Sequence, residues 1–84
     1  MDVRTAEEHA GGAIPGSINV PIDSLRDRLD TLPTTPIVVY CEVGQRGHTA
    51  TALMYELGLK ARNLDGGYQT WKAFMRARAQ QPAR

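Results

Sequence analysis

Ile37-Val38-Val39-Tyr40-Cys41-Glu42-Val43-Gly44-Gln45-Arg46-Gly47-His48-Thr49-Ala50-Thr51-Ala52-Leu53-Met54-Tyr55-Glu56-Leu57-Gly58 changes its hydrophobic period across its one cysteine. Ile37 to Tyr40 is a continuous apolar and aromatic run, bounded upstream by Pro33 and Pro36. A short run of this kind reads as a strand buried on both faces. Beyond the cysteine, Ala50, Leu53, Met54 and Leu57 recur at spacings of three and four, one face of a helix. Gly58 stands where a left-handed C-terminal cap is wanted. The only cysteine of the chain therefore lies at a strand-to-helix junction, ahead of a loop carrying Gly44, Arg46 and Gly47.

Such a junction has chemical consequences. The backbone N–H groups after Cys41 have no strand or helix partner and can curl around one centre as an anion-binding nest. The positive end of the following helix points at the same place. Both favour negative charge on sulfur, and a thiolate is the nucleophilic form of cysteine. Gly44 and Gly47 give the backbone the freedom a tight curl requires. Arg46 adds a fixed positive charge or a fork of donors for an oxyanion. The residues predict a nucleophilic Cys41 in an anion-receptive cradle.

Cys41-Glu42-Val43-Gly44-Gln45-Arg46 resembles the six-residue active-site loop of rhodanese-type sulfurtransferases. Flanking segments match in register. Asp2-Val3-Arg4 resembles that family's Asp-x-Arg strand end, and Thr5-Ala6-Glu7-Glu8-His9 its helix start. Ile14-Pro15-Gly16-Ser17-Ile18-Asn19-Val20-Pro21 is similar to its Ile-Pro-Gly-Ala-x-Asn-Ile-Pro segment. Asn63-Leu64-Asp65-Gly66-Gly67-Tyr68 through Trp71 is similar to its Gly-Gly-x-x-x-Trp closing motif. The resemblance covers roughly residues 2 to 74. The Cys-x-Val-Gly-x-Arg-Gly form is most like rhodanese domains appended to flavin-dependent reductases, such as relatives of coenzyme A-disulfide reductase. Ala13 departs from the family, which commonly has His before Ile-Pro-Gly.

The resemblance implies Cys41 as catalytic residue, with Glu42, Val43, Gly44, Gln45 and Arg46 binding substrate around it. It implies Asp2 and Arg4 as a buried support hydrogen-bonded to the loop, with Gly47 as a further support. Cys41 would take a sulfane sulfur from thiosulfate or a low-molecular-weight persulfide and pass it, as a persulfide, to a thiol or to cyanide. Neither metal nor organic cofactor is required. The implied partners are small sulfur compounds and thiol acceptors, with a fused or neighbouring flavin-dependent disulfide reductase as a macromolecular candidate. A regulatory, sulfur-accepting module of such a reductase is the alternative. Cysteine phosphatases and arsenate reductases have loops of similar architecture but one residue longer between Cys and Arg, and a smaller cradle suits sulfur better than phosphate.

Length and charge bound these readings. Eighty-four residues allow one small domain. The formal net charge of +1 argues for neither nucleic acid nor an anionic membrane as partner. One cysteine excludes an internal disulfide framework and a cysteine-rich metal site. No apolar run approaches the roughly 20 residues needed to span a bilayer, and Met1-Asp2-Val3-Arg4 lacks the apolar stretch of a signal peptide. A cytoplasmic location is expected.

Alternating strands and helices predict an α/β fold, a small open parallel sheet with helices on both faces. Residues 1–75 are expected to form one rhodanese-like domain, lacking the family's first strand. The chain is accordingly expected to be either an excised domain or an unusually short one. Met1 to Arg4 is a strand by resemblance, and Thr5 with Glu8 is a capping-box pattern for a turn of helix ending near Gly11-Gly12. Ile18 to Val20 reads as a short strand. Asp23 or Ser24 is expected to cap a helix burying Leu25, Leu29 and Leu32. Leu59 to Leu64 reads as a brief strand, with Ala61 and Asn63 on one side and Arg62 and Leu64 on the other. Gly66-Gly67 allows a sharp turn beside the cysteine loop. Tyr68, Trp71 and Phe74 (or Met75) lie at helical spacing and are expected to pack inward. Residues 76–84 lose periodicity and are expected to fray. His48 reads as an exposed helix-start residue, with proton transfer or a substrate contact as the alternative, and His9 as a structural or surface one. Glu42 opposes an incoming anion unless it points outward or pairs with Arg46, and thiosulfate is expected to be a weak donor on that account.

Overall fold

The computed structural model describes residues 1–81. In chain order they form helix α1 (Ala6–Ala10), two 3-10 turns (Ile22–Ser24 and Arg26–Thr31), strand β1 (Ile37–Val39), helix α2 (Gln45–Glu56), strand β2 (Ala61–Asn63) and helix α3 (Gly67–Ala79). β1 and β2 pair in parallel, Val38 opposite Arg62. Asp2 extends this layer through parallel bridges to Tyr40 on one side and Asn19 on the other. The amide of Val3 donates to the Tyr40 carbonyl at 2.9 Å, and the amide of Val20 to the Asp2 carbonyl at 2.8 Å. The expected strands at the N-terminus and at Ile18–Val20 thus pair as single bridges.

The core lies between the sheet and α2. Val3, Val20, Ile37 and Val39 meet Ala50 and Met54 of α2, with Leu25 and Leu32 closing one end and Cys41 in the same cluster. Each large aliphatic side chain so buried contributes about 1.5–3 kcal/mol. Of the helix face read from the sequence, Ala50 and Met54 fill the core and Leu53 packs partly against it, while Leu57, at the end of α2, is 44% exposed. α2 ends as its glycine suggests. Gly58 has φ 83°, its amide donates to the Tyr55 carbonyl at 3.0 Å, and the Leu59 amide donates to the Met54 carbonyl at 2.9 Å. This pair of bonds is the Schellman cap.

Some expectations are corrected. β1 is not buried on both faces: Val38 is 55% exposed. It points away from α2, and on that face Tyr68 of α3 covers the Tyr40 end of the strand, with ring centroids 6.4 Å apart. The segment after Pro21 is 3-10 rather than α-helix and has no side-chain cap. Leu25 and Leu32 are nonetheless buried and Leu29 packs against them. The aromatic stripe of α3 does not pack into the core, where only Gly67 of that helix is buried. Trp71 stacks on Tyr68 at 5.8 Å, while Phe74 is 59% exposed. Periodicity identified the helix but not what lay opposite it. α3 also continues past Arg76 to Ala79. Arg and Ala are strong helix formers, so losing the apolar period there does not end the helix. The part of the expected tail from 82 to 84 lies outside the described residues.

Candidate active site

Cys41 follows β1 directly, and the fold brings two helix N-termini to it. The first four N–H groups of a helix have no partner within the helix, and neither α2 nor α3 is capped by a side chain. α2 is preceded by Gly44 at φ 117°, whose amide donates to the Cys41 Sγ at 3.1 Å. α3 begins on the other side of the same residue. The Tyr68 amide donates to the Cys41 carbonyl at 2.8 Å and the Gln69 amide to the Glu42 carbonyl at 3.1 Å. The helix ends thus spend their unpaired donors on the cysteine loop, and their positive ends face it. Cys41 itself is 1% exposed. Of the loop amides expected to curl around sulfur, Gly44 is the one that reaches it.

Close packing at this junction makes two glycines obligatory. A Cβ on Gly67 would stand 2.3 Å from the Cys41 carbonyl oxygen and 2.8 Å from that of Glu42, at a φ of +59°. Both obstacles are backbone. Gly67→Ala is expected to cost more than about 3 kcal/mol, beyond the roughly 1–2 kcal/mol of the left-handed conformation alone. Urea denaturation checks it, and a loss within that smaller range would show that the loop and α3 are less tightly docked. Gly47 is needed for a different reason. A Cβ there would lie 2.2 Å from Asn63 Oδ1, so the glycine makes room for that carboxamide. Asn63 Nδ2 in turn donates to the Gly44 carbonyl at 3.2 Å. Asn63 was legible only as part of the closing motif. That it ties β2 to the left-handed Gly44 required the structure.

Beneath the loop lies a buried charge network. Asp2 is 0% and Arg4 2% exposed. Arg4 Nε and Nη2 donate to the Asp2 carboxylate at 3.0 and 2.8 Å, and Nη2 also to the Gly12 carbonyl at 2.7 Å. Arg4 Nη1 reaches up to Glu42 Oε1 at 3.0 Å. The guanidinium lies over the Tyr68 ring, 4.4 Å from its centroid. Burial pushes the Asp2 carboxyl up, but the bonds from Arg4 and then His9 outweigh it and hold Asp2 below its ordinary range. The hydrogen bonds to Asp2 raise the Arg4 pKa, against burial. Since Asp2 is ionised, the His9 Nδ1 at 2.8 Å from its Oδ2 carries the donated proton; of the structural and surface readings of His9, this contact is the structural one.

Glu42 and Arg46 do not pair with each other. Glu42 is held by Arg4 and, through its other oxygen, by the Gln69 side-chain amide. Arg46 instead makes a two-pronged bond to Glu8 of α1, Nη1–Oε1 at 2.6 Å and Nη2–Oε2 at 2.8 Å. Glu8 also completes the capping box with Thr5. The bond from Arg46 is the main reason the Glu8 carboxyl is pushed down to about 2. Its stabilising contribution is complete above its ordinary value of 4.5 and is lost as the pH falls through about 2. Val43, Gln45 and His48 are exposed. The loop therefore meets Arg4, Glu8, Asn63, Gly67 and Gln69, with Asp2 linked to it through Arg4; Glu8 was expected only as a cap of α1, and Gln69 had no predicted role.

The rhodanese-like domain model matches residues 1–74. The thiosulfate:glutathione sulfurtransferase of Homo sapiens is 36% identical over 84% of the chain and 76% of that protein. A sulfurtransferase of Allochromatium vinosum is 33% identical over 84% of the chain and 68% of its own length. Among solved structures, reduced Bacillus anthracis CoADR-RHD superposes with a TM-score of 0.85 at 41% identity. That likeness covers 92% of this chain but 14% of the B. anthracis one.

Proposed function

The chain belongs to the rhodanese-like domain family, and on that premise we propose that it is a sulfurtransferase working through a persulfide on Cys41. The observation that carries the reading is the Gly44 amide on the Cys41 Sγ at the head of α2, with α3 anchored on the carbonyl of the same residue. A sulfur so placed can bear negative charge before and after transfer.

With thiosulfate as donor, the Cys41 thiolate attacks the outer sulfur and a new S–S bond forms. The old S–S bond breaks, and its electron pair leaves with sulfite. Cys41 then carries a persulfide anion. An acceptor thiolate attacks the terminal sulfur, takes it away as a new persulfide, and returns Cys41 to its starting form. Each half-reaction is a displacement on sulfur with no net redox change. Residues 42 to 46 surround the reacting sulfur in this reading, and Arg46 supplies the positive charge for an anionic donor. Arg4 answers the electrostatic objection to Glu42, because it neutralises that carboxylate from below. Residues 1–75 act as one domain, and thiols serve as acceptors. The likeness to CoADR-RHD supports a disulfide reductase as partner or fused neighbour. No helix among the described residues is long and apolar enough to cross a membrane.

Two successive displacements through one enzyme sulfur require ping-pong kinetics. Varying thiosulfate at several fixed concentrations of glutathione should give parallel double-reciprocal lines. Intersecting lines would mean that donor and acceptor meet on the protein, and would reject the relay. Arg46→Ala is expected to raise KM for thiosulfate more than it lowers kcat, since it removes binding charge rather than the nucleophile.

A further inference from the structure

Arg46 is half-exposed and close to the cysteine loop, yet its guanidinium is already occupied. Both terminal nitrogens are bound to Glu8, with the Arg46 side chain 38% and the Glu8 side chain 32% exposed. Arg4 cannot take its place, because its guanidinium is buried and engaged by Asp2, Gly12 and Glu42. An anionic donor seeking the guanidinium next to the loop must therefore compete with a carboxylate that is ionised at every working pH. The loop sequence alone shows Arg46 as a free cation. The structure shows a closed ion pair.

We propose that Glu8 is a specificity-determining residue for donor charge: by occupying Arg46 it weakens the site's preference for a dianionic sulfur donor over a less charged one. This rests on the sulfur-relay reading and deepens it. The competition is electrostatic and at the surface, so it scales with donor charge and is screened by salt. Glu8 has a second, structural bond, since its Oε1 accepts the Thr5 amide at 3.1 Å. Glutamine can keep that bond, because the capping box accepts either residue. Glu8→Gln thus removes the charge while leaving the cap.

The test compares sulfur loading of Cys41 by thiosulfate, a dianion, and by methanethiosulfonate, a monoanion. Both give a Cys41 persulfide, releasing sulfite and methanesulfinate respectively. The quantity read is the ratio of kcat/KM for the two donors in the wild-type chain, Glu8→Gln and Thr5→Ala. Glu8→Gln should raise the thiosulfate-to-methanethiosulfonate ratio by roughly fivefold at low ionic strength, the scale of an exposed ion pair. The change should fall on KM and fade toward 1 M salt, where the screening length is about 3 Å. Thr5→Ala weakens the cap without touching the charge and should leave the ratio where it was. A ratio that is unchanged or falls in Glu8→Gln, or moves equally in Thr5→Ala, overturns the assignment of Glu8. Failure of both donors to load wild-type Cys41 overturns the relay and this inference together.

Discussion

Replacing Cys41 by alanine should lower sulfur transfer at least roughly 1,000-fold, to the uncatalysed background, while the domain stays folded. The relay has one covalent carrier, and the chain holds no second cysteine to substitute for it. Arranged donors without a nucleophile leave only binding. Folding survives because the change is small, although not free of consequence. Cys41 is part of the core cluster, and its Sγ accepts the Gly44 amide. Alanine leaves that N–H without its partner and a little space unfilled, a loss of about 1–3 kcal/mol. Circular dichroism should therefore show native secondary structure with a lowered Tm, and a cyanide assay should show no thiocyanate above background. Transfer at more than a few per cent of the wild-type rate in this variant would reject the mechanism outright.

Arg4→Ala should have the largest effect on stability. Arg4 and Asp2 are both buried, so the variant strands an ionised carboxylate beneath the loop. Breaking a buried pair in this way costs about 3–5 kcal/mol, on the order of 15–30 °C in Tm for a domain of this size. Lost packing against Tyr40 and Tyr68 adds to it. The effect should depend on pH in a definite direction. In the wild-type chain Asp2 is held below its ordinary range, so its stabilising contribution is present at neutral pH and fades in acid. Without the Arg4 side chain only His9 and the residue-4 backbone amide still hold the carboxylate against burial, so its pKa rises, and the variant should be relatively less impaired at low pH. Adding Asp2→Asn to Arg4→Ala should recover part of the loss, because the stranded charge disappears. A loss below about 1 kcal/mol, the level of an exposed pair, would contradict the buried network. Activity should fall as well, since Glu42 would then face Cys41 without the cation that neutralises it.

These two residues also show how unevenly the molecule could be read from its sequence. Cys41 was legible because a local pattern, a strand run giving way to helical spacing, encodes the junction. The Schellman cap at Gly58 and the capping box at Thr5 and Glu8 were legible for the same reason: each involves neighbours within one turn. Arg4 was legible only through resemblance, since a buried ion pair leaves no periodic trace. The partners of Arg46 and Glu42 were not legible. Their bonds join residues 38 apart, and the choice between two carboxylates for two guanidiniums is made by the packing of α1 against the loop. Phe74 and Val38 were misplaced because an apolar residue at the right spacing says which face it belongs to, not whether that face is covered. The 3-10 turns after Pro21 satisfied the same apolar spacing as an α-helix would, with Leu25 and Leu32 still buried.

Intact-protein mass spectrometry after incubation with thiosulfate tests the central claim most directly. The wild-type chain should gain the mass of one sulfur atom, the gain should be absent in Cys41→Ala, and a chase with cyanide should remove it. An unmodified mass in folded wild-type protein after thiosulfate, and again after coenzyme A persulfide, would contradict the relay.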